Sequence, residues 1–189
     1  MSHHRTLMLV AALALSPALA ISAPAAWTVD KAASRLTFTS SVSGQAFTGR
    51  FARWDAVIHF DPKDLGHSDV TATIDVTSAA TGNGDRDAAL PDQDWFWTSH
   101  FPRATFVARG FQPAGPGRYV AAGTLTIRGV AKPVSLPFAL AINGAAAHMT
   151  GAVALNRLAF GVGQGEWKAT DTVPANVTVG VDLTAHRAP

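Results

Sequence analysis

The side chains that could support acid–base chemistry are few, and three of them are consecutive. Asp85, Arg86 and Asp87 could form a catalytic acid–base group. No nucleophile or second base with a matching spacing accompanies them, so a structural role is favoured. Asp85 suits the N-cap of a short helix, where its carboxylate meets the positive end of the helix dipole. We therefore predict that this segment caps a helix and ties it to the rest of the fold by an ion pair, and that the protein has no catalytic residue.

Residues that could bind a metal ion lack the usual spacing. The chain has no cysteine, which excludes disulfides, thiolate metal sites and a cysteine nucleophile. The histidines beyond the first twenty residues form no His-x-His or His-x3-His pair, the kind of spacing that places two imidazoles on one ion. They are His59, His67, His100, His148 and His186. We predict no metal site.

A glycine-rich segment, Gly161-Val162-Gly163-Gln164-Gly165, is similar in sequence to a nucleotide-binding loop. It lacks the strand-to-helix context and the final glycine spacing with which such loops bind a pyrophosphate. Serines such as Ser34 and Ser78 likewise lack the Gly-x-Ser-x-Gly context of a hydrolase nucleophile. The glycines are expected to let a loop bend, so that Trp167 swings over an opening in the fold.

The first twenty residues have the features of a secretory signal peptide. Arg5 supplies a positive charge, an unbroken apolar run extends from Leu7 to Leu15, and Ala18-Leu19-Ala20 fits a cleavage site. The apolar run is shorter than the roughly 20 residues that span a bilayer. We therefore predict a signal peptide over residues 1–20 and localisation in the periplasm.

The composition of the remaining chain fits one exported domain. The 189 residues less the first 20 leave 169, which is enough for one hydrophobic core. Without Arg5 the 15 basic residues become 14, against 13 acidic ones, and no run of Lys or Arg indicates nucleic-acid binding. Charged residues are only 15% of the chain, so more of its internal or external surface is apolar. We predict a short leader over residues 21–26 and a single domain over residues 27–187.

Apolar and polar residues alternate along most of this domain with a period of two, which is typical of strands with one buried face. Residues 70–77 show it most clearly, since Val, Ala, Ile and Val alternate with Thr, Thr, Asp and Thr. Eight or nine such segments follow one another, separated by turns such as Asn143-Gly144. This spacing predicts an all-β fold, either an antiparallel sandwich or a barrel. A closed barrel leaves no exposed sheet edge, and about eight strands can hold a small ligand.

The segment 123–138 predicts two of these strands, with a reversal bracketed by Gly129 and Pro133. Its apolar alternating positions are Leu125, Ile127, Val134, Leu136 and Phe138. A different pattern occurs at Thr81–Leu90, which predicts a short helix ended by Pro91. The aromatic residues that follow this helix would cover one end of a barrel.

Several motifs resemble, in order and spacing, the YceI family of bacterial periplasmic lipid-binding proteins, and the resemblance covers residues 27–185. The strongest is Gly123–Val130 followed by Lys132–Val134. Supporting motifs are Trp27–Asp30, Thr48–Phe51, Arg86-Asp87 with Leu90, Trp95-Phe96, Phe101-Pro102 and Asn156–Gly163. The chain departs from the family pattern at Ala89, where the family often has histidine, and at Trp95, where it often has phenylalanine.

The resemblance implies an extended, lipocalin-like antiparallel β-barrel of about eight strands, with a short helical insertion near one end and an elongated apolar tunnel that binds polyisoprenoid or quinone-like chains. Such a chain needs only an apolar wall, because apolar area removed from water provides about 25 cal/mol per Å². For any single phenylalanine, burial in a dry core is the alternative. The candidate ligand-binding residues are Phe38, Phe47, Phe51, Ile58, Phe60, Ile74, Val76, Trp95, Phe96, Phe106, Leu125, Ile127, Phe138, Leu140, Phe160 and Trp167.

We expect a binding protein that carries, stores or sequesters a long-chain isoprenoid or quinone-like lipid, and not an enzyme. The lipid would be its ligand, and no other cofactor is expected. Two alternatives stay open: an enzyme acting on a small apolar substrate in the same barrel, and an accessory protein that supplies quinone to a membrane cytochrome of the b561 type. The second rests on Gln164–Trp167, which is similar to family members found beside such cytochromes. Whether the protein forms a homodimer also stays open.

Overall fold

The computed structural model describes residues 23–188, and almost all of their regular structure is β-strand. The strands are β1 (Ala26–Val42), β2 (Gln45–Phe51), β3 (Trp54–His59), β4 (Asp69–Asp75), β5 (Ala79–Ala80), β6 (Arg103–Pro113), β7 (Arg118–Ile127), β8 (Val130–Asn143), β9 (Ala146–Asn156) and β10 (Asn176–Arg187). One α-helix, α1 (Gly84–Ala89), and 3-10 helices at Val76–Ser78, Arg157–Phe160 and Gly165–Lys168 lie between them. None of the helices in this part of the chain is long and apolar enough to cross a membrane.

The predicted signal peptide lies outside the described residues, as do the first two residues of the predicted leader. The last leader residue, Ala26, is already the first residue of β1. Its carbonyl accepts a hydrogen bond from the Ala188 N–H, at 2.9 Å. The strand therefore starts one residue earlier than Trp27, where the sequence predicts the domain to begin.

Eight strands close into an antiparallel barrel, as predicted. The ring runs β1-β10-β9-β8-β7-β6-β4-β3 and returns to β1. β10 pairs with most of β1, whereas β3 meets β1 only at Ala26 and Trp27. β2 extends the wall along the second half of β1 and pairs on its other side with the two-residue β5. Closure satisfies the backbone groups that the edges of an open sheet would expose.

The alternation seen in the sequence determines which side chains face the barrel interior. Ile74, Leu125 and Leu136 are buried, at 8%, 9% and 8% exposure, and a polar neighbour flanks each of them in the sequence. Phe38 also points inward and lies over Gly49, its partner on β2. A Cβ atom on Gly49 would collide with the Phe38 ring. Glycine at this position therefore lets the aromatic ring lie flat against the strand.

The hairpin between β7 and β8 confirms the two predicted strands but not the predicted turn boundaries. The reversal is made by Arg128 and Gly129 alone, both with positive φ (51° and 73°). Positive φ at both central residues is the geometry of a two-residue turn that matches the strand twist. Pro133 does not bracket the turn, as the sequence suggested; it lies within β8, opposite Thr124.

The prolines of β8 end its pairing with β9. The two strands pair only from Phe138 to Asn143 of β8. The Leu140 N–H donates to the Gly117 carbonyl on the β7 side, at 2.8 Å. Strand alternation therefore turns the nitrogens of Pro137 and Pro133 toward β9, where they cannot donate a hydrogen bond. An apolar cluster that contains Phe160, Val134 and Leu155 packs along this unpaired part of the wall.

Candidate functional site

The barrel interior encloses a cavity of about 530 Å³. This volume lies within the range of about 300–1,000 Å³ that small-molecule sites occupy. The structure places every one of the sixteen candidate residues from the sequence on the cavity wall. Side chains therefore do not fill the whole interior, although contact between these residues and a ligand stays a prediction.

The wall also contains apolar residues that were not among the candidates. Several of them come from β9 and β10, including Val153, Leu155, Val177, Val179, Val181 and Leu183. The alternation of β10 is visible in the sequence and is sufficient to identify its four members. Small residues on other strands, such as Ala56, Ala72 and Ala121, also line the cavity and give it width.

One end of the cavity is filled by aromatic rings, and we call it the Phe60 end. The Phe60 ring centroid lies 5.2 Å from that of Phe111, 5.4 Å from Tyr119 and 6.2 Å from Phe138. These are the edge-to-face separations that aromatic pairs prefer. The Trp27 Nε1–H donates to the Phe60 carbonyl at 2.9 Å and so fixes the start of β1 beneath the cluster. This end is held by side-chain packing between strands.

The opposite end is covered by α1 and by loops, and we call it the α1 end. Residues 90–102 and 157–175 bring Trp95 and Trp167 onto the cavity, with ring centroids 5.3 Å apart. Phe96 adds a further ring 6.1 Å from Phe51. Gly161, Gly163 and Gly165 all have positive φ, so this loop bends as predicted and Trp167 lies on the cavity wall.

A buried arginine holds the second of these loops. Arg157 is 4% exposed, and no acidic side chain among residues 23–188 forms an ion pair with it. Its guanidinium donates instead to backbone carbonyls of Val162 (2.9 Å), Trp167 (2.7 Å), Val173 (2.8 Å) and Pro174 (3.0 Å). Burial lowers the pKa of the Arg157 guanidinium. The loop therefore surrounds the buried, positively charged guanidinium, and main-chain carbonyls of the loop accept its hydrogen bonds.

A second arginine joins the two loops. Arg128, in the β7–β8 turn, donates through Nη1 to the carbonyl of Trp95 at 2.6 Å and to the carbonyl of Gly161. Burial lowers the pKa of the Arg128 guanidinium, and the nearby Asp94 carboxylate opposes that shift. The strongest family motif thus places one positively charged side chain beneath both loops of the α1 end.

Helix α1 is capped differently from the prediction. Its N-cap is Asn83, whose Oδ1 accepts from the Arg86 N–H at 3.0 Å, because the helix begins at Gly84. Asp87 Oδ1 accepts from the Thr81 N–H and from Thr81 Oγ1, both at 2.7 Å. Hydrogen bonds from Thr81 lower the pKa of the Asp87 carboxyl. The helix is therefore tied to the strand before it through Thr81, and the predicted direct ion pair is not what fixes it.

None of the five histidines among residues 23–188 lines the cavity, although His100 belongs to the loop 90–102 at the α1 end. His59 is 3.0 Å from Asp69, His67 is 2.7 Å from Asp64, and His148 is 2.7 Å from Asp182, all with substantial exposure. Each pair is isolated from the others. Across residues 23–188, no group of three or more His, Asp or Glu side chains is arranged to hold a metal ion.

The comparison with protein families identifies one match that covers nearly all of the described chain. The model of the family described as "YceI-like domain" matches residues 27–185. Among individual sequences, a UPF0312 protein of Photorhabdus laumondii is 35% identical over 88 residues, which are 47% of this chain. The chain spans less than half of that relative, 45% of its length.

Solved structures reproduce the barrel. BcnA of Burkholderia cenocepacia superposes with a TM-score of 0.80 at 35% identity, over 83% of this chain and 99% of BcnA. A polyisoprenoid binding domain from Saccharophagus degradans superposes with a TM-score of 0.70 over 87% of this chain and 99% of the domain. At 18% identity, the second likeness concerns the fold alone.

Proposed function

The chain belongs to the YceI-like domain family, and we propose that it is a periplasmic protein that binds an isoprenoid or quinone-like lipid in its barrel cavity, to carry, store or sequester it. The continuous apolar cavity is the observation that supports this proposal most strongly. A polyisoprenoid chain offers methyl and methylene groups along its whole length, which complement a wall of Phe, Leu, Ile and Val. The shared fold with a polyisoprenoid binding domain supports the same class of ligand.

Binding is supported over catalysis by the roles of two polar side chains at the α1 end, Arg157 and Asp87. Arg157 uses its donors on four main-chain carbonyls, and Asp87 accepts from Thr81. These groups stabilise the loops and the helix that form the wall. A catalytic acid or base would instead need to reach a reacting atom of the ligand. Export to the periplasm follows from the signal peptide predicted over residues 1–20.

Organic extraction of the purified protein followed by mass spectrometry tests this function. We expect the protein to release a long-chain isoprenoid lipid. The variant Ala72→Phe fills the cavity from β4 and should carry much less lipid. Thr71→Phe adds a similar ring on the neighbouring residue, which does not line the cavity, and should carry as much lipid as the unsubstituted protein.

Two results would contradict parts of this proposal. The proposed function is wrong if the unsubstituted protein yields no such lipid and takes none up when incubated with a long-chain isoprenoid quinone. Equal lipid content in Ala72→Phe and the unsubstituted protein would place the lipid outside the cavity.

A further inference from the structure

Among residues 23–188, polar side chains line the cavity at only one of its ends. Those of Ser40, Thr81, Asp85, Arg86 and Arg157 all lie at the α1 end. The Phe60 end is formed by aromatic and aliphatic side chains. A ligand with one polar and one apolar end would therefore meet two different surroundings in this barrel.

Arg86 differs from Arg157 in having donors to spare. Its Nε–H donates to Thr81 Oγ1 at 3.2 Å, and its guanidinium carbon lies 4.5 Å from the centre of the Phe47 ring. Within residues 23–188, neither Nη atom of Arg86 donates a hydrogen bond to another group. The side chain is half-buried and lines the cavity. Its remaining N–H groups are thus held at the cavity wall without a partner from the chain.

The neighbouring residues fix the position of this guanidinium. Thr81 Oγ1 donates to Asp87 Oδ1 at 2.7 Å, which directs the lone pairs of the hydroxyl toward the Arg86 Nε–H. The Phe47 ring supports one face of the guanidinium through a cation–π contact. A donor that is held in place before binding loses little conformational freedom when a ligand arrives.

The charge around Arg86 favours a neutral acceptor. Asp85 lines the same end of the cavity and is exposed, and the Asp87 carboxylate lies on the other side of Thr81. A phosphate bound to Arg86 would meet the Asp85 carboxylate on the same wall and the Asp87 carboxylate behind Thr81, and like charges at close range are repulsive. The guanidinium of Arg157, at the same end, already donates to four main-chain carbonyls. A carbonyl oxygen needs only the N–H donors that Arg86 provides.

We propose that Arg86 holds the polar head of the ligand through a neutral carbonyl oxygen, so that the lipid lies with its head at the α1 end and its tail toward Phe60. This inference rests on the proposed function and adds to it a direction of binding and a class of headgroup. Arg86 is a specificity-determining residue in this proposal, because it distinguishes a lipid with a polar headgroup from a hydrocarbon of similar length.

The test compares three probes: an isoprenoid quinone, a polyprenyl phosphate, and squalene, which has no polar head. Affinities are measured by displacement of one fluorescent apolar probe. We expect Arg86→Gln to weaken quinone binding about tenfold, the loss typical of a hydrogen bond from a charged donor. Squalene binding should stay unchanged, which also shows that the variant is folded. The unsubstituted protein should bind the quinone more tightly than the polyprenyl phosphate.

Arg50→Gln is the matched control. Arg50 is exposed on the adjacent β2, outside the cavity wall, so its loss removes the same charge and should alter no affinity. The inference is overturned if Arg86→Gln weakens quinone and squalene binding equally, or weakens neither. Tighter binding of polyprenyl phosphate than of quinone would overturn the neutral headgroup. Failure of the unsubstituted protein to bind any of the three probes would instead contradict the proposed function.

Discussion

The two ends of this barrel are closed by different kinds of interaction. At the Phe60 end, rings from β6, β7 and β8 pack directly around Phe60, with centroid separations of 5.2–6.2 Å. At the α1 end, Arg128 and Arg157 hold two loops by donating to main-chain carbonyls, and hydrogen bonds between Thr81 and Asp87 hold the helix. Packing is non-directional and depends on buried area, whereas the arginine contacts require particular loop conformations. The α1 end is therefore where small changes in sequence should alter the headgroup contacts, while the Phe60 end should limit the length of the tail.

Removing the buried Arg157 from the α1 end should have the largest effect on stability. Arg157→Ala leaves four main-chain carbonyls without their donor, and buried unpaired groups each cost about 1–3 kcal/mol. Allowing for water that enters the space, we expect the free energy of unfolding to fall by about 4 kcal/mol. Urea denaturation followed by tryptophan fluorescence measures the change.

Arg157→Lys is the control for this prediction. The lysine keeps the charge but cannot present the forked donors that reach four carbonyls, so the loss should be intermediate. A loss below about 1 kcal/mol for Arg157→Ala would show that the loop does not depend on the buried arginine.

Truncation of Phe60, at the opposite end, should lower the free energy of unfolding somewhat less than Arg157→Ala does. It should also change which tail length binds best. Phe60→Ala removes the central ring of the aromatic cluster, and buried Phe-to-Ala changes cost about 3 kcal/mol or more. The space left by the ring should extend the cavity, so lipids with longer tails should bind relatively better. Denaturation and competition between tail lengths measure the two effects.

Val57→Ala serves as the comparison for this truncation. Val57 lies on β3 with 56% of its surface exposed, so its loss should change stability by less than about 0.5 kcal/mol. If Phe60→Ala left the preferred tail length unchanged, the Phe60 end would not be where the tail terminates.

The smallest expected effect concerns pH and helix α1. Because hydrogen bonds from Thr81 lower the pKa of Asp87 below its ordinary value of 3.8, the ionised carboxylate stabilises the folded state. This contribution is complete at pH values above 3.8 and is lost as the pH falls through the lower pKa of the folded state. Asp87→Asn should therefore reduce stability at neutral pH and flatten the decline of stability below pH 4. Equal acid sensitivity of Asp87→Asn and the unsubstituted protein would contradict this assignment.

The contrast between the ends also explains what the sequence could predict. Phe138 lies on β8 and Phe60 directly follows β3, and the period of two in their segments predicts their inward position. Phe111 does not follow this period, because a β-bulge between Ala108 and Gly110 shifts the register of β6. The roles of Arg157 and Arg128 could not be predicted, because their partners are main-chain carbonyls, which every residue carries. Asn83 was missed as the N-cap for a related reason: two capping residues, Asn83 and Asp85, lie close together, and only the backbone determines where the helix begins.

The central claim, that the barrel cavity holds the lipid tail, is tested most directly by how the affinity depends on tail length. The measurement is the affinity of the unsubstituted protein for a series of quinones whose tails lengthen by one isoprene unit at a time. Each unit that enters the apolar cavity removes several carbon atoms from water, at about 0.8 kcal/mol per CH₂ group. We predict that the affinity rises steeply with each unit and then levels off once the tail reaches the Phe60 end. An affinity that does not depend on tail length would contradict the account, because the apolar cavity would then not be the site that holds the lipid.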